Sequence, residues 1–209
     1  MTELLTERTG TPPQPALQPA GTFADGTHAP RFSVERYVQM YEAGILTGED
    51  HVELIDGYLV QTMAPNPPHI FLTSWLAQWL RQRLPATAHV REEKPVELDG
   101  SCPEPDLAVV RGSLHDYSRR LPTGADVLLA VEVAHTSLTL DRLKAATYAA
   151  AGIPAYLIVD VADGHLIAYS QPTETGYASE QTVDRVPVRV DQTDLGTIDA
   201  GELFAALDG

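Results

Sequence analysis

The chain has 209 residues, is 44% hydrophobic and carries a formal net charge of −15. That length supports one packed α/β domain plus tails. The acidity argues against casual nucleic-acid binding, because phosphate contacts draw on basic surfaces.

A single cysteine, Cys102, excludes an internal disulfide and suits a reducing cytoplasm. No apolar run approaches the roughly 20 residues of a membrane span, and no basic-then-apolar leader opens the chain. The expectation is a cytoplasmic protein with no membrane segment.

Residues 1–30 are rich in Pro, Thr, Gly and Ala without periodicity. They read as a flexible N-terminal tail, and residues 31–209 as one domain. Ser33 looks like an N-cap for a helix with apolar positions Val34, Tyr37, Val38, Tyr41 and Ile45, stopped near Gly44. HVELIDGYLVQTMA then places two short alternating runs about Asp56-Gly57, a hairpin signal. Glu53 lies on its first arm. The prolines at 65, 67 and 68 read as a break, followed by an amphipathic helix from His69 to about Leu84. HVREEKPVEL gives extended segments.

Two apolar runs follow, PEPDLAVV (Pro103 to Val110) and DVLLAVEVAHTS (Asp126 to Ser137), joined by a polar loop. Both read as buried strands, each carrying one carboxylate, Asp106 and Glu132. An isolated buried carboxylate costs several kcal/mol by rough estimate, so two in neighbouring strands point to a shared cation. Leu140 to Ala151 reads as a helix ended by Gly152 and Pro154, and AYLIVDVADGHLIAYS as a hairpin turning at Asp163-Gly164. Short strands and a closing helix complete the chain. Strand, helix, strand from Asp126 to Asp160 makes a βαβ-like unit. The class is therefore α/β or α+β, a mixed central sheet flanked by helices.

Lys94 and Lys144 are the chain's two lysines. Lys144, on the helix after the Glu132 strand, is thus less readily taken as surface decoration. Two carboxylates and a lysine are the parts of a magnesium-dependent phosphodiesterase site. Asp106, Glu132 and the Val133 carbonyl would supply the ion's oxygens, and Lys144 would stabilise developing charge. Glu53 would bind a second cation or orient water. Each has a plainer alternative: a turn aspartate, an arginine-paired glutamate, a solvated lysine or one paired with Asp141, and an exposed strand glutamate. His69 reads as a base, a phosphate ligand or a first-turn residue, and Ser137 as a cap or a substrate contact. His135 and Cys102 lack zinc spacing. No Walker loop, Rossmann glycine pattern, Gly-x-Ser-x-Gly elbow or HExxH is present.

VELIDG, PEPDLAVV, DVLLAVEV and DRLKAATYAAAGIPAYLIVD, in that order, resemble the Uma-two family of the PD-(D/E)XK nuclease superfamily. The similarity runs from about Phe32 to Tyr169. It implies a restriction-endonuclease-like core and divalent-metal-dependent DNA cleavage, with Mg2+ or Mn2+ as cofactor and DNA as partner. By position, Asp106 is the aspartate after proline, Glu132 the acid of the second strand and Glu53 the upstream acid. The superfamily's lysine, two residues after that acid, is Ala134 here. The family supplies it from the next helix, as Lys144.

The first expectation is thus an endonuclease with Glu53, Asp106, Glu132 and Lys144 as catalytic residues. A nuclease-fold binding or regulatory protein without activity, and a metal-dependent phosphoesterase acting on a small substrate, are the alternatives. Double-strand cutting by one small domain would call for a homodimer.

Overall fold

The computed structural model describes residues 28–209. The tail expected over residues 1–30 therefore lies, as far as residue 27, outside the described residues.

Helix α1 (Val34–Glu42) begins where Ser33 Oγ accepts the Arg36 amide, and the chain leaves it through Ala43. Strands β1 (Val52–Ile55) and β2 (Tyr58–Gln61) pair antiparallel. Asp56 (φ 48°) and Gly57 (φ 80°) both lie in the left-handed region, as a two-residue type I′ turn requires. This hairpin stands apart from the main sheet. It is tied instead to the turn around Gly100: the Cys102 amide donates to Leu54 O (2.7 Å), the Gly57 amide to Gly100 O (2.7 Å) and the Asp56 amide to Ser101 Oγ (2.9 Å). Tyr37, Leu54 and Cys102 form a small core beneath it.

Helix α2 (Pro67–Arg81) starts two residues earlier than the proline pattern indicates. Asn66 Oδ1 accepts the His69 amide at 3.2 Å, and Pro67 and Pro68 occupy the first helical turn, where a missing N–H costs nothing. The prolines thus begin the helix rather than break the chain. Arg83 lies past its end, donating to Trp79 O and stacking over the Trp79 ring.

The remaining strands are β3 (Ala88–Glu92), β4 (Leu107–Arg111), β5 (Val127–Ala134), β6 (Ala155–Asp160), β7 (His165–Thr173), β8 (Gly176–Val183), β9 (Arg185–Val190) and β10 (Thr193–Asp199). Helix α3 (Leu138–Ala150) links β5 to β6, and α4 (Ala200–Asp208) closes the chain. The main sheet has six strands in the order β3-β4-β5-β6-β7-β8. Only its β5–β6 pair is parallel, the crossover being α3. The fold is a mixed α/β architecture with a central sheet flanked by helices.

The sheet buries both faces, and β5 shows why its sequence is almost continuously apolar. Leu129, Val131 and Val133 face a core shared with α2, α4 and the β9–β10 hairpin. Ala130 and Ala134 face the other core, with Tyr148 and Ala145 of α3. Glu132 falls on this second face, between the two alanines. Those small neighbours leave room for long α3 side chains to reach it.

A turn before β5 meets the end of α3. A Cβ built on Gly124 would lie 2.3 Å from the backbone oxygen of Ala151 and 2.8 Å from its Cβ, neither of which can swing aside. Gly124→Ala should therefore destabilise the protein by about 1–3 kcal/mol through overpacking. Thermal melting checks this at roughly 2–4 °C per kcal/mol for a chain of this size.

Candidate active site

The β4–β5 ladder ends at Leu107 opposite Val131. Asp106 was expected inside a buried strand. It lies one residue ahead of β4, partly exposed, and continues the pairing with its side chain. Asp106 Oδ2 accepts the Val133 amide at 2.6 Å, and the Asp106 amide donates to Glu132 Oε2 at 3.3 Å. His69 in the first turn of α2 brings Nε2 to 3.0 Å from the same Oδ2.

Glu132 is 3% exposed and Glu53, on the separate hairpin, 6%. Lys144 is 2% exposed, so neither an exposed strand glutamate nor a solvated lysine describes these positions. Lys144 Nζ lies 3.0 Å from Glu53 Oε1, 3.0 Å from Glu53 Oε2 and 3.0 Å from Glu132 Oε1, with Asp141 Oδ1 at 3.9 Å. Tyr148, one turn further along α3, donates its hydroxyl to Glu132 Oε1 at 3.0 Å. Ser137 occupies the N-cap position of α3 without capping it; its hydroxyl donates to Asp141 Oδ2 at 2.5 Å.

Apart from Tyr148, which lies behind Glu132, these groups line one cleft of about 570 Å³, whose acidic lining is Glu53, Glu93, Glu104, Asp106, Glu132 and Asp141. The structure thus brings Glu53, Asp106, Glu132, Val133 and Lys144 to one place. Two participants went unread in the sequence. The sequence offers Asp141 only as a helical partner for Lys144 and does not single out Tyr148. Their spacing from Lys144, three before and four after, puts all three on one helical face and was the available signal.

The electrostatics follow from burial. Desolvation pushes the Glu132 carboxyl well above its usual range, and the Lys144 charge only partly offsets this. Burial likewise lifts Asp141 to about 6 against the pull of Lys144. Burial alone would lower Lys144, but Glu132, Glu53 and Asp141 together outweigh it and hold the ammonium charged. Burial opposes protonation of His69, yet the Asp106 contact wins and its value rises. Tyr148 is raised by burial and stays a neutral donor.

A pH test follows for Asp141. Its folded value exceeds the ordinary aspartate value near 3.8, so the native state binds the extra proton between the two. Its contribution is full below about pH 4 and is lost as pH rises through about 6. In chelator-treated protein, wild type should lose melting temperature over that window relative to Asp141→Asn. Parallel curves would contradict the assignment.

The oxygens suit a hard divalent cation. Four carboxylates, Glu53, Asp106, Glu132 and Asp141, face Lys144 and the titratable His69, leaving an excess of negative groups in a buried setting. Among the described residues no donor reaches Asp106 Oδ1, and buried Glu53 Oε2 is ion-paired with Lys144 but accepts no hydrogen bond of good geometry. Asp160, Asp163 and His165 also bring ligand atoms within 4.8 Å of one another. They sit at the β6–β7 turn and do not line the cleft, and Asp160 Oδ1 is occupied by the amides of Ala162 and Asp163. Cys102 is buried under the hairpin, and His135 at the cleft mouth is bonded to Asn66 (2.9 Å).

A family model described as "Putative restriction endonuclease" matches residues 34–196. The chain belongs to the Uma2 family. A crystal structure from Anabaena variabilis ATCC 29413, titled as a "putative nuclease belonging to DUF820", superposes with a TM-score of 0.62 at 17% identity. The match covers 80% of this chain and 98% of that one, and it is a likeness of fold. No curated protein matches the sequence. As a Uma2 member the chain keeps a nuclease-like fold, and it carries its cleft lysine on α3.

Proposed function

We propose that this Uma2 protein is a divalent-metal-dependent endonuclease hydrolysing DNA phosphodiester bonds. The observation that carries the reading is the convergence of Glu53, Asp106 and Glu132, from three separated stretches, in one cleft, with Glu53 and Glu132 directly on Lys144 and Asp106 bonded to Glu132 through its amide. Asp106, Glu132, the Val133 carbonyl and Glu53 would hold Mg2+ or Mn2+, which favour such oxygen ligands. When bound, the ion supplies Lewis acidity and a water of lowered pKa.

The chain's own groups do the rest. Lys144 fixes an ammonium beside Glu53 and Glu132, where its field stabilises charge developing on phosphoryl oxygens. The Val133 amide holds Asp106 against the strand end. Six acids line the cleft, so a polyanion enters only with its charge neutralised. Double-strand cutting would use two such clefts, in a homodimer, and a cytoplasmic setting fits the lone cysteine. Among the described residues no helix is long and apolar enough to cross a membrane.

The same acidic lining favours one second reading, hydrolysis of a small phosphodiester. The test incubates plasmid, oligonucleotides and a small aryl phosphodiester with Mg2+ or Mn2+, beside Asp106→Ala and Lys144→Ala. DNA cleavage lost in both variants supports the proposal. Turnover of the aryl ester alone moves the assignment to the second reading. DNA cleavage unchanged in the variants would be contamination and would remove the site from consideration.

A further inference from the structure

Asp106 and Glu132 are each held mainly through one oxygen, the other carrying at most one long bond. Asp106 Oδ2 takes the Val133 amide and the His69 contact, while Oδ1 takes nothing from the described residues. Glu132 Oε1 takes Lys144 and Tyr148, while Oε2 carries only the long 3.3 Å bond from the Asp106 amide. The tethers come from two helices on opposite faces of the sheet, α2 and α3.

We infer that His69 and Tyr148 are positioning residues of the metal centre, each pinning the non-ligating oxygen of one carboxylate so that the other oxygen faces the ion. The inference rests on the metal-dependent reading of the cleft and adds to it two residues that touch neither ion nor substrate. Partners of this kind orient a ligand and commonly contribute about 10- to 100-fold in metal affinity.

Further geometry supports the assignment. The Tyr148 hydroxyl is fully buried, with Glu132 as its acceptor, so the bond has no role in contacting substrate. His69 offers Nε2 to Asp106, and its other nitrogen, Nδ1, is buried without a partner. Asn66 fixes the backbone of His69 by capping α2 through the His69 amide. The helix start, the imidazole and the aspartate thereby form one linked chain of contacts.

The experiment titrates Mn2+ into chelator-treated full-length protein by calorimetry. The variants are Tyr148→Phe, His69→Ala and His69→Gln, whose side-chain amide can take the place of Nε2–H. Circular dichroism and melting curves without metal check that each is folded. Tyr148→Phe and His69→Ala should weaken Mn2+ binding by about 10- to 100-fold while His69→Gln keeps most of it. The Mn2+ concentration for half-maximal cleavage should rise in step, with kcat recovered at saturating metal. Mn2+ affinity within about twofold of wild type in folded Tyr148→Phe and His69→Ala overturns the inference, and so does a loss of kcat that metal does not rescue. Metal bound by wild type without DNA cleavage overturns the nuclease assignment and leaves this inference standing. Absence of metal binding by wild type, seen before any substitution, overturns both.

Discussion

Replacing Lys144 with methionine should cost the metal-free protein about 3–5 kcal/mol at neutral pH, since it keeps the packed stem but strands buried acids without their cation. Glu53, Glu132 and Asp141 all face the ammonium within 4 Å, and none of them is more than 6% exposed. At roughly 2–4 °C per kcal/mol, the melting temperature falls by about 10 °C. The loss has a definite pH dependence. The freed acids can take up protons, so the gap between variant and wild type narrows as pH falls and widens as it rises. Mn2+ should restore more stability to the variant than to wild type, because the ion takes over a charge that wild type already supplies. A melting temperature unaffected at neutral pH would show that Lys144 is not the counter-ion of the cluster.

The second large effect concerns Glu132→Gln. The amide keeps the shape of the side chain and an oxygen for Lys144 and Tyr148, but removes the charge that would draw a cation. Cleavage should drop about 1000-fold, the rate equivalent of roughly 4 kcal/mol, which is what a lost metal-centred stabilisation of the transition state costs. The metal-free fold should hold, because Lys144 retains Glu53 at 3.0 Å. Wild type with free Mn2+ at about 100 times its dissociation constant gains about 2.7 kcal/mol of stability, and the variant should gain far less. Melting with and without metal, beside an oligonucleotide cleavage assay, separates these two effects. Full metal stabilisation in the variant would remove Glu132 from the ligand set.

Much of the architecture was legible because it rests on local chemistry. The Asp56-Gly57 turn, the Ser33 cap and the unbroken apolar run of β5 each have a direct physical cause in a few residues. Errors came where two local rules competed. Pro67 and Pro68 are chain breakers inside a helix but preferred at its start, and only Asn66 in capping geometry decides between these. Asp106 preceded four apolar residues and so read as part of their strand, whereas its side chain replaces the rung that the ladder lacks.

The site was less legible than the fold. Burial of Glu132 could be read from its apolar neighbours, since no other placement fits VLLAVEVA. Burial of Glu53 and Lys144 could not, because VELIDG is equally consistent with an exposed edge and DRLKAATY with a solvated face. What decided both is that each supplies the other's counter-charge across 91 positions of chain, a long-range fact that no local pattern carries. Tyr148 was overlooked for the same reason. A tyrosine on a helix reads as packing until its hydroxyl is seen to end on a carboxylate.

The hairpin bearing Glu53 has its own small core and is fastened by backbone bonds to the Leu98–Ser101 turn, not to the six-stranded sheet. Its release would require that minor cluster to melt and the Glu53–Lys144 pair to part, while every strand of the main sheet stays paired. The acidic centre thus draws on two parts of the fold with cores of unequal size, and the smaller part carries one of the three carboxylates proposed to hold the ion. Such a protein can lose its chemistry well before it loses its shape, so the temperature at which it stops working and the temperature at which it denatures need not coincide.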